Sequence, residues 1–181
     1  MSLNPRRRPL RPLQHHRDQP LTLKAAMPRH HPTRLVQSSY TYAASVNTRY
    51  GDLDPQAHIN NVAIATIYEE GRSQFVRWLA ENADMALEPP HRMIAQVTID
   101  YLAQIYYPSA LTVAAGILEV GLHSYRIGQA IFQGVQCVGL CETVIVHSDR
   151  QRSVPISQNW KKVLMKAAMQ NLETYNSPWR A

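Results

Sequence analysis

Apolar residues follow two different periods along this chain. Behind Asn60-Asn61, the positions Ile64, Ile67, Tyr68, Gly71, Phe75, Trp78 and Leu79 recur at i, i+3, i+4, i+7, i+11, i+14 and i+15. That spacing draws one continuous stripe on a helix of about five turns. Asn60-Asn61 supplies its N-cap. Glu70, Gln74, Arg77 and Glu81 fall away from the stripe and are expected in water, and the helix should end before Pro89-Pro90. Gly71 lowers helix propensity from within the stripe, so close packing against a sheet is expected there.

The rest of the pattern reads as strand. Residues 40–50 (YTYAASVNTRY) are β-prone and run into the turn-rich Gly51-Asp52-Leu53-Asp54-Pro55. Residues 92–105, 110–120, 125–135 and 136–147 alternate or run apolar, with Gly121-Leu122-His123-Ser124 as a turn between the second and third of them. Gly128, Gly134 and Gly139 mark bulges or sharp bends. A last helix is expected at 157–172, capped by Ser157 and carrying Trp160, Val163, Leu164 and Ala167. Strand, long helix, then four strands is an α+β order, with the helix on one face of an antiparallel sheet of five strands or slightly more. One helix cannot cover both faces and every edge of such a sheet, so an oligomer pairing edges or faces is expected.

Composition supports a core. The chain has 181 residues, 45% apolar and 18% charged, which suits one domain, with or without an appendage, and excludes a wholly disordered chain. No apolar run approaches the roughly 18 residues needed to cross a bilayer. The net charge of +6 suggests an anionic partner until its distribution is examined. Residues 1–36 hold eight basic groups and one acid, a balance of +7, while the remainder holds eleven basic and twelve acidic groups, a balance of −1. The first segment also holds six of the twelve prolines and the pairs His15-His16 and His30-His31. Proline removes donors and fixes φ, and like charge resists collapse. Residues 1–36 therefore read as a disordered basic arm, and 37–181 as one near-neutral domain. The arm has no interleaved aromatics for stacking on bases, which makes nucleic acid a poor partner. It lacks the apolar stretch of a secretory signal, and its prolines oppose an amphipathic transit helix. Met27 is an equally good start. Cys137 and Cys141 lie in one strand, roughly 13 Å apart if extended, too far for a disulfide. Free thiols in a reducing compartment, the cytoplasm, are the expectation.

The chemistry gathers in residues 49–72, RYGDLDPQAHINNVAIATIYEEGR, where two acids, a histidine and two asparagines precede the helix start. Asp52 and Asp54 before the helix are either turn acids bonding their own backbone or a general base or nucleophile. His58 is either a satisfied turn histidine or a partner in acid–base work. Asn60-Asn61 caps the helix in any case, and the free amides of Asn61 and Val62 are natural oxyanion donors. Asp-x-Asp…His is also a candidate metal spacing, but nothing supplies a convincing further ligand.

The run Asp52-Leu53-Asp54, His58, Ile59-Asn60-Asn61, with Glu69 and Arg72 later in the helix, resembles the signature of the hotdog-fold 4-hydroxybenzoyl-CoA thioesterase-like superfamily. It is also similar to the active-site stretch of plant acyl-ACP thioesterases, with Gln56 where that group has asparagine. Downstream, Ile99-Asp100-Tyr101-Leu102, Pro108 to Val113, Gly121 to Ser124, and Val146-His147-Ser148-Asp149 with Pro155 continue the likeness, which spans about 42–165. The resemblance implies a hotdog fold, a long central helix wrapped by an antiparallel sheet. It also implies an acyl-CoA thioesterase acting as a homodimer or homotetramer, its site between two subunits. No cofactor is implied, CoA being part of the substrate.

On this reading Asp54 is the catalytic carboxylate, His58 orients it or shares acid–base work, and Asn61 serves the oxyanion. The Asn60 or Asn61 side chain holds Asp54 or the water. Asn60 and Val62 complete the helix start, Phe75 and Trp78 line the acyl channel, and His123 and Ser124 with Arg126 either meet the pantetheine or nucleotide phosphates of CoA or merely close a hairpin. Glu69 is either a second-site acid or, as expected, a buried structural partner of Arg72 or of a neighbouring subunit. Acyl carrier protein in place of CoA, and a non-catalytic acyl-CoA sensor, are the alternatives.

Overall fold

A computed structural model describes residues 30–85 and 91–170. Its strands are β1 (Tyr42–Asn47), β2 (Arg92–Tyr101), β3 (Ala110–Val120), β4 (Ser124–Gln133) and β5 (Gln136–His147), and its α-helices are α1 (Asn61–Glu81) and α2 (Gln158–Lys166). The five strands form one antiparallel sheet in the order β1-β3-β4-β5-β2. The helix follows β1 and lies across one face, so the fold is the expected α+β hotdog arrangement. Among the described residues no helix is long and apolar enough to cross a membrane.

The stripe on α1 does what its spacing requires. Ile64, Ile67, Tyr68, Gly71, Phe75 and Leu79 are all buried, against Val113 and Ile131 at one end and Ile127 and Ile145 at the other. A Cβ at Gly71 would overlap Val113 Cγ1, which is why the helix needs glycine where it crosses the central strands. Gly139 serves the same end under Tyr68, whose hydroxyl would lie 2.8 Å from an added Cβ. Beside it the β4–β5 register slips, pairing Phe132 with Cys137 after Ile131 with Gly139. Gly134, at φ +60°, turns the β4–β5 hairpin.

Several boundaries differ from the sequence reading. β2 stops at Tyr101 because Leu102 and Ala103 turn both their amides to Val138 O. The last helix ends at Lys166, and its tail lies along β3 through Ala167 O and Met169 N on Ile117, so Ala167 belongs to its cap; residues 171–172 and Pro89-Pro90 lie outside the described residues. Gln74 is half-buried, because its amide receives the Tyr42 hydroxyl at 3.3 Å. Cys137 and Cys141 are free thiols.

The largest correction concerns residues 30–36, assigned to a disordered arm. Pro32–Leu35 form a 3-10 turn, and Arg34 is only 1% exposed. Its Nη1 meets Glu142 Oε1 at 2.8 Å on the sheet face opposite α1, and its Nη2 donates to Cys141 O at 3.1 Å. A carboxylate inside a β-branched strand requires a cation, and Arg34 supplies it. Tyr40 and Met169 then cover Ala130, Phe132 and Leu140 on that face. The second face is therefore partly covered from within the chain. Residues 1–29 of the arm lie outside the described residues.

Candidate active site

The turn between β1 and α1 is built from its own backbone. Asp52 closes a short 3-10 turn by accepting the Arg49 amide at 2.8 Å, with the Arg49 guanidinium 3.6 Å away. Leu53 and Ile59 form an antiparallel bridge, and between them the chain makes a tight loop. The Asp54 amide donates to His58 O at 2.8 Å, the Ala57 amide donates to Asp54 O at 3.0 Å, and Ala57 takes a left-handed φ of 63°. The Asp54 side chain folds back over this loop. Its Oδ1 accepts the amides of Gln56 at 2.8 Å and His58 at 3.2 Å. Oδ2 has no hydrogen-bond partner among the described residues, and the side chain is half-buried.

The loop delivers the chain into α1 with its first turn open. Asn60 Oδ1 accepts the Ala63 amide at 2.7 Å, and the Ile64 amide donates to Asn60 O at 3.0 Å. The two amides ahead of them, on Asn61 and Val62, have no acceptor among the described residues and point out of a 21-residue helix. Their donors and the helix dipole favour negative charge there. The loop is tied to the sheet by Ile59 N to Ile105 O at 2.9 Å and to the preceding turn by Asn60 N to Asp52 O at 2.9 Å. A carboxylate held by two amides beside two free amides can activate a water, or attack directly, at a carbonyl whose oxygen faces the helix start.

Asp54, His58, Asn60, Asn61 and Val62 are thus collected at one junction, with some of their roles redistributed. The His58 ring packs edge-on against Tyr106, centroids 5.1 Å apart, so it is the His58 backbone amide, not its imidazole, that positions Asp54. Neither asparagine side chain holds Asp54. The Asn60 carbonyl is taken by its own cap, and the Gln56 and His58 amides do that work.

The remaining residues lie away from this junction within the protomer. Phe75 is fully enclosed, with Tyr42 and Trp78 against its ring, so it belongs to the core and not to an open channel. Trp78 edges a cavity of about 150 Å³ between the end of α1 and α2. Ser124 and Arg126 lie at the far end of β4, and Arg126 is on the face away from α1, ion-paired with Glu142 at 3.3 Å. Glu69 is exposed and makes no ion pair with Arg72, which is 9% exposed and donates from Nη1 to Thr143 Oγ1 at 3.5 Å. A helical position one residue off the stripe was expected to turn inward, but the trough between α1 and β2 leaves it in water.

Sequence reasoning missed that trough. It is a cleft of about 330 Å³ between the middle of α1 and the start of β2, edged by Arg72, Arg77 and Arg92 and floored by Ile94 and Ile145. Its one sequence signal was Arg72 on the buried side of a helix. No cluster of three or more metal-ligating side chains occurs among the described residues.

Residues 48–171 match the family model of the thioesterase-like superfamily. No curated protein matches this sequence. Among solved structures, a Pseudomonas aeruginosa protein aligns with TM-score 0.64 at 20% identity, covering 75% of this chain and 97% of its own. A predicted thioesterase from Bacillus stearothermophilus aligns with TM-score 0.63 at 26% identity, covering 71% and 97%. A Thermus thermophilus thioesterase, solved with coenzyme A and zinc, aligns with TM-score 0.61 at 21% identity, covering 71% and 95%.

Proposed function

This chain belongs to the thioesterase-like superfamily and is a thioester hydrolase, and from that premise we propose that it cleaves an acyl-CoA to the free acid and CoA with Asp54 as its working carboxylate. The observation that carries the assignment is the Asp54 carboxylate, pinned through Oδ1 by two backbone amides with Oδ2 left open. Oδ2 takes a proton from a water whose oxygen bonds to the thioester carbon. The negative charge that develops on the carbonyl oxygen is met by the Asn61 and Val62 amides. Collapse of that intermediate re-forms the carbonyl, breaks the carbon–sulfur bond and expels the CoA thiolate, which takes up the proton. The preorganised donors cost nothing to orient at the moment of reaction. A fold neighbour solved with coenzyme A supports CoA as the carrier.

The acting unit in this reading is a homodimer joined through β2. That strand ends the sheet, pairs with β5 on one side only, and leaves Met93, Ile94, Val97 and Tyr101 between 46% and 60% exposed. A long apolar edge of this kind invites a second strand.

The test is Asp54→Asn, which keeps an acceptor for the Gln56 and His58 amides but loses the base. Free-thiol release from a panel of short, long and aromatic acyl-CoAs should fall at least about a hundredfold in kcat, roughly 2.7 kcal/mol, with the melting temperature little changed. Unchanged turnover in this variant sinks the assignment.

A further inference from the structure

The cleft between α1 and β2 holds two guanidinium groups that the described chain leaves without a counter-charge. Arg72 is only 9% exposed, and its recorded partner is a neutral hydroxyl, Thr143 Oγ1, at the long distance of 3.5 Å. Arg92 is half-buried, and its Nη1 is enclosed with no hydrogen-bond partner among the described residues. No carboxylate among the described residues pairs with either; Glu69, at the rim, is exposed. Both cations act on the Tyr125 hydroxyl beneath them, yet burial pushes that group up to about 12, so at neutral pH it remains a neutral phenol and neutralises nothing. A guanidinium partly withdrawn from water without an anion carries a penalty, and native structures commonly resolve it by pairing. The Arg34–Glu142–Arg126 group on the other face of this sheet is such a resolution. Arg72 and Arg92 are the exception.

We propose that this cleft is the acyl end of the substrate site and that Arg72 and Arg92 select an acyl group ending in a carboxylate. The proposal rests on the thioesterase reading of Asp54 and on the β2 pairing above. Within one protomer the cleft is too far away, since Arg72 lies eleven residues along α1, about 17 Å from Asn61. Pairing of two β2 edges closes the gap. In an antiparallel, two-fold pair the Arg92 end of one strand lies beside the Tyr101 end of the other. The Tyr101 end is where the Asp54 loop is anchored, through Ile59 on Ile105. Each Asp54 loop then faces the arginine cleft of the second copy, with apolar Ile94 and Ile145 between for a short chain. A cleft of about 330 Å³ is at the small end of ligand sites and suits a short dicarboxylic acyl group. A carboxylate between two guanidiniums accepts charge-assisted hydrogen bonds that a methyl terminus cannot, and discrimination on a polar group of this kind is steep.

The experiment compares hexanoyl-CoA with adipoyl-CoA, matched in carbon count, on the wild type, Arg92→Gln and Arg92→Lys. The wild type should favour adipoyl-CoA at least tenfold in kcat/KM. Arg92→Gln should lower that ratio tenfold or more, and Arg92→Lys should restore part of it. A wild-type preference for hexanoyl-CoA overturns the proposal. So does an equal loss on both substrates, or dissociation of the Arg92→Gln dimer on gel filtration, either of which would mean that the arginines pair with an acid of the second copy. If neither ester is hydrolysed by the wild type, the Asp54 reading still stands or falls on the wider acyl-CoA panel, and the cleft is judged on free adipate. Adipate should raise the melting temperature of the wild type and leave that of Arg92→Gln unmoved, and no shift in the wild type ends the proposal.

Discussion

The two ends of α1 are made of the same helix and do opposite things. At its C-terminal half, Phe75, Val76, Leu79 and Ala80 are buried with Trp160 and Leu164 of α2, Ile127 and Ile145, and Trp78 is partly buried against them. At its N-terminus, Asn61 is exposed, Val62 is 70% exposed, and the first amides are met by one cap and otherwise left open. Tyr50 and Tyr106 beside it are 75% and 52% exposed. One end spends its residues on packing, the other leaves donors and a carboxylate unsatisfied. A helix whose far end is locked can hold its near end in a fixed direction without covering it, which is what preorganised donors require.

The largest expected effect tests whether the sealed end is only a core. Phe75→Ala should cost about 3–5 kcal/mol, the usual range for removing a buried aromatic ring. Chemical denaturation reads that directly. Phe75→Leu should cost less, and the KM for any accepted acyl-CoA should stay as in the wild type. A KM raised severalfold in a stably folded Phe75→Leu would return this residue to the acyl channel and erase the contrast.

Gly71 sits between the two ends and gives the next effect. In an ordinary helix, Gly→Ala stabilises by about 1 kcal/mol. Here the added Cβ would overlap Val113 Cγ1, on a strand residue that is fully buried, and would lie 3.4 Å from Gln129 Nε2. Gly71→Ala should therefore destabilise, by about 1–3 kcal/mol as overpacking does. The sign is the measurement: stabilisation in a thermal melt would show that the helix is free to lift from the sheet, and that the two ends are not rigidly joined.

What could be read from the sequence follows the same division. The α1 stripe and the Asp54-to-Val62 junction were legible because each is local: a period of 3.6 and a cap followed by a helix need no knowledge of the sheet. Phe75 was misplaced because periodicity marks a residue as inward without saying whether it meets core or ligand. Where Ser124 and Arg126 lie relative to Asp54 was not legible, because it depends on strand order. The Arg72–Arg92 cleft was invisible for that reason too, since β2 reaches α1 only through its pairing with β5. Arg34 was hidden by the composition around it, although a lone Glu142 within a β-branched strand was a signal of a buried pair.

The smallest expected effect separates what the open end contributes to folding from what it contributes to chemistry. Asn60 caps α1 by accepting the Ala63 amide at 2.7 Å. Asn60→Ala should lose about 1 kcal/mol of stability and also let the Asn61 and Val62 amides fray, lowering kcat several-fold. That variant alone does not distinguish the two roles. Asn60→Ser and Asn60→Asp do, because serine and aspartate cap about as well as asparagine. Serine should restore both stability and turnover. Aspartate should restore stability alone, since its carboxylate places a fixed negative charge where the oxyanion develops and competes for the same helix dipole. Equal turnover in Asn60→Ser and Asn60→Asp, measured at matched stability, would mean that the oxyanion does not face the start of α1. Asp54 would then act on a carbonyl held elsewhere, and the open end of the helix would be a cap and nothing more.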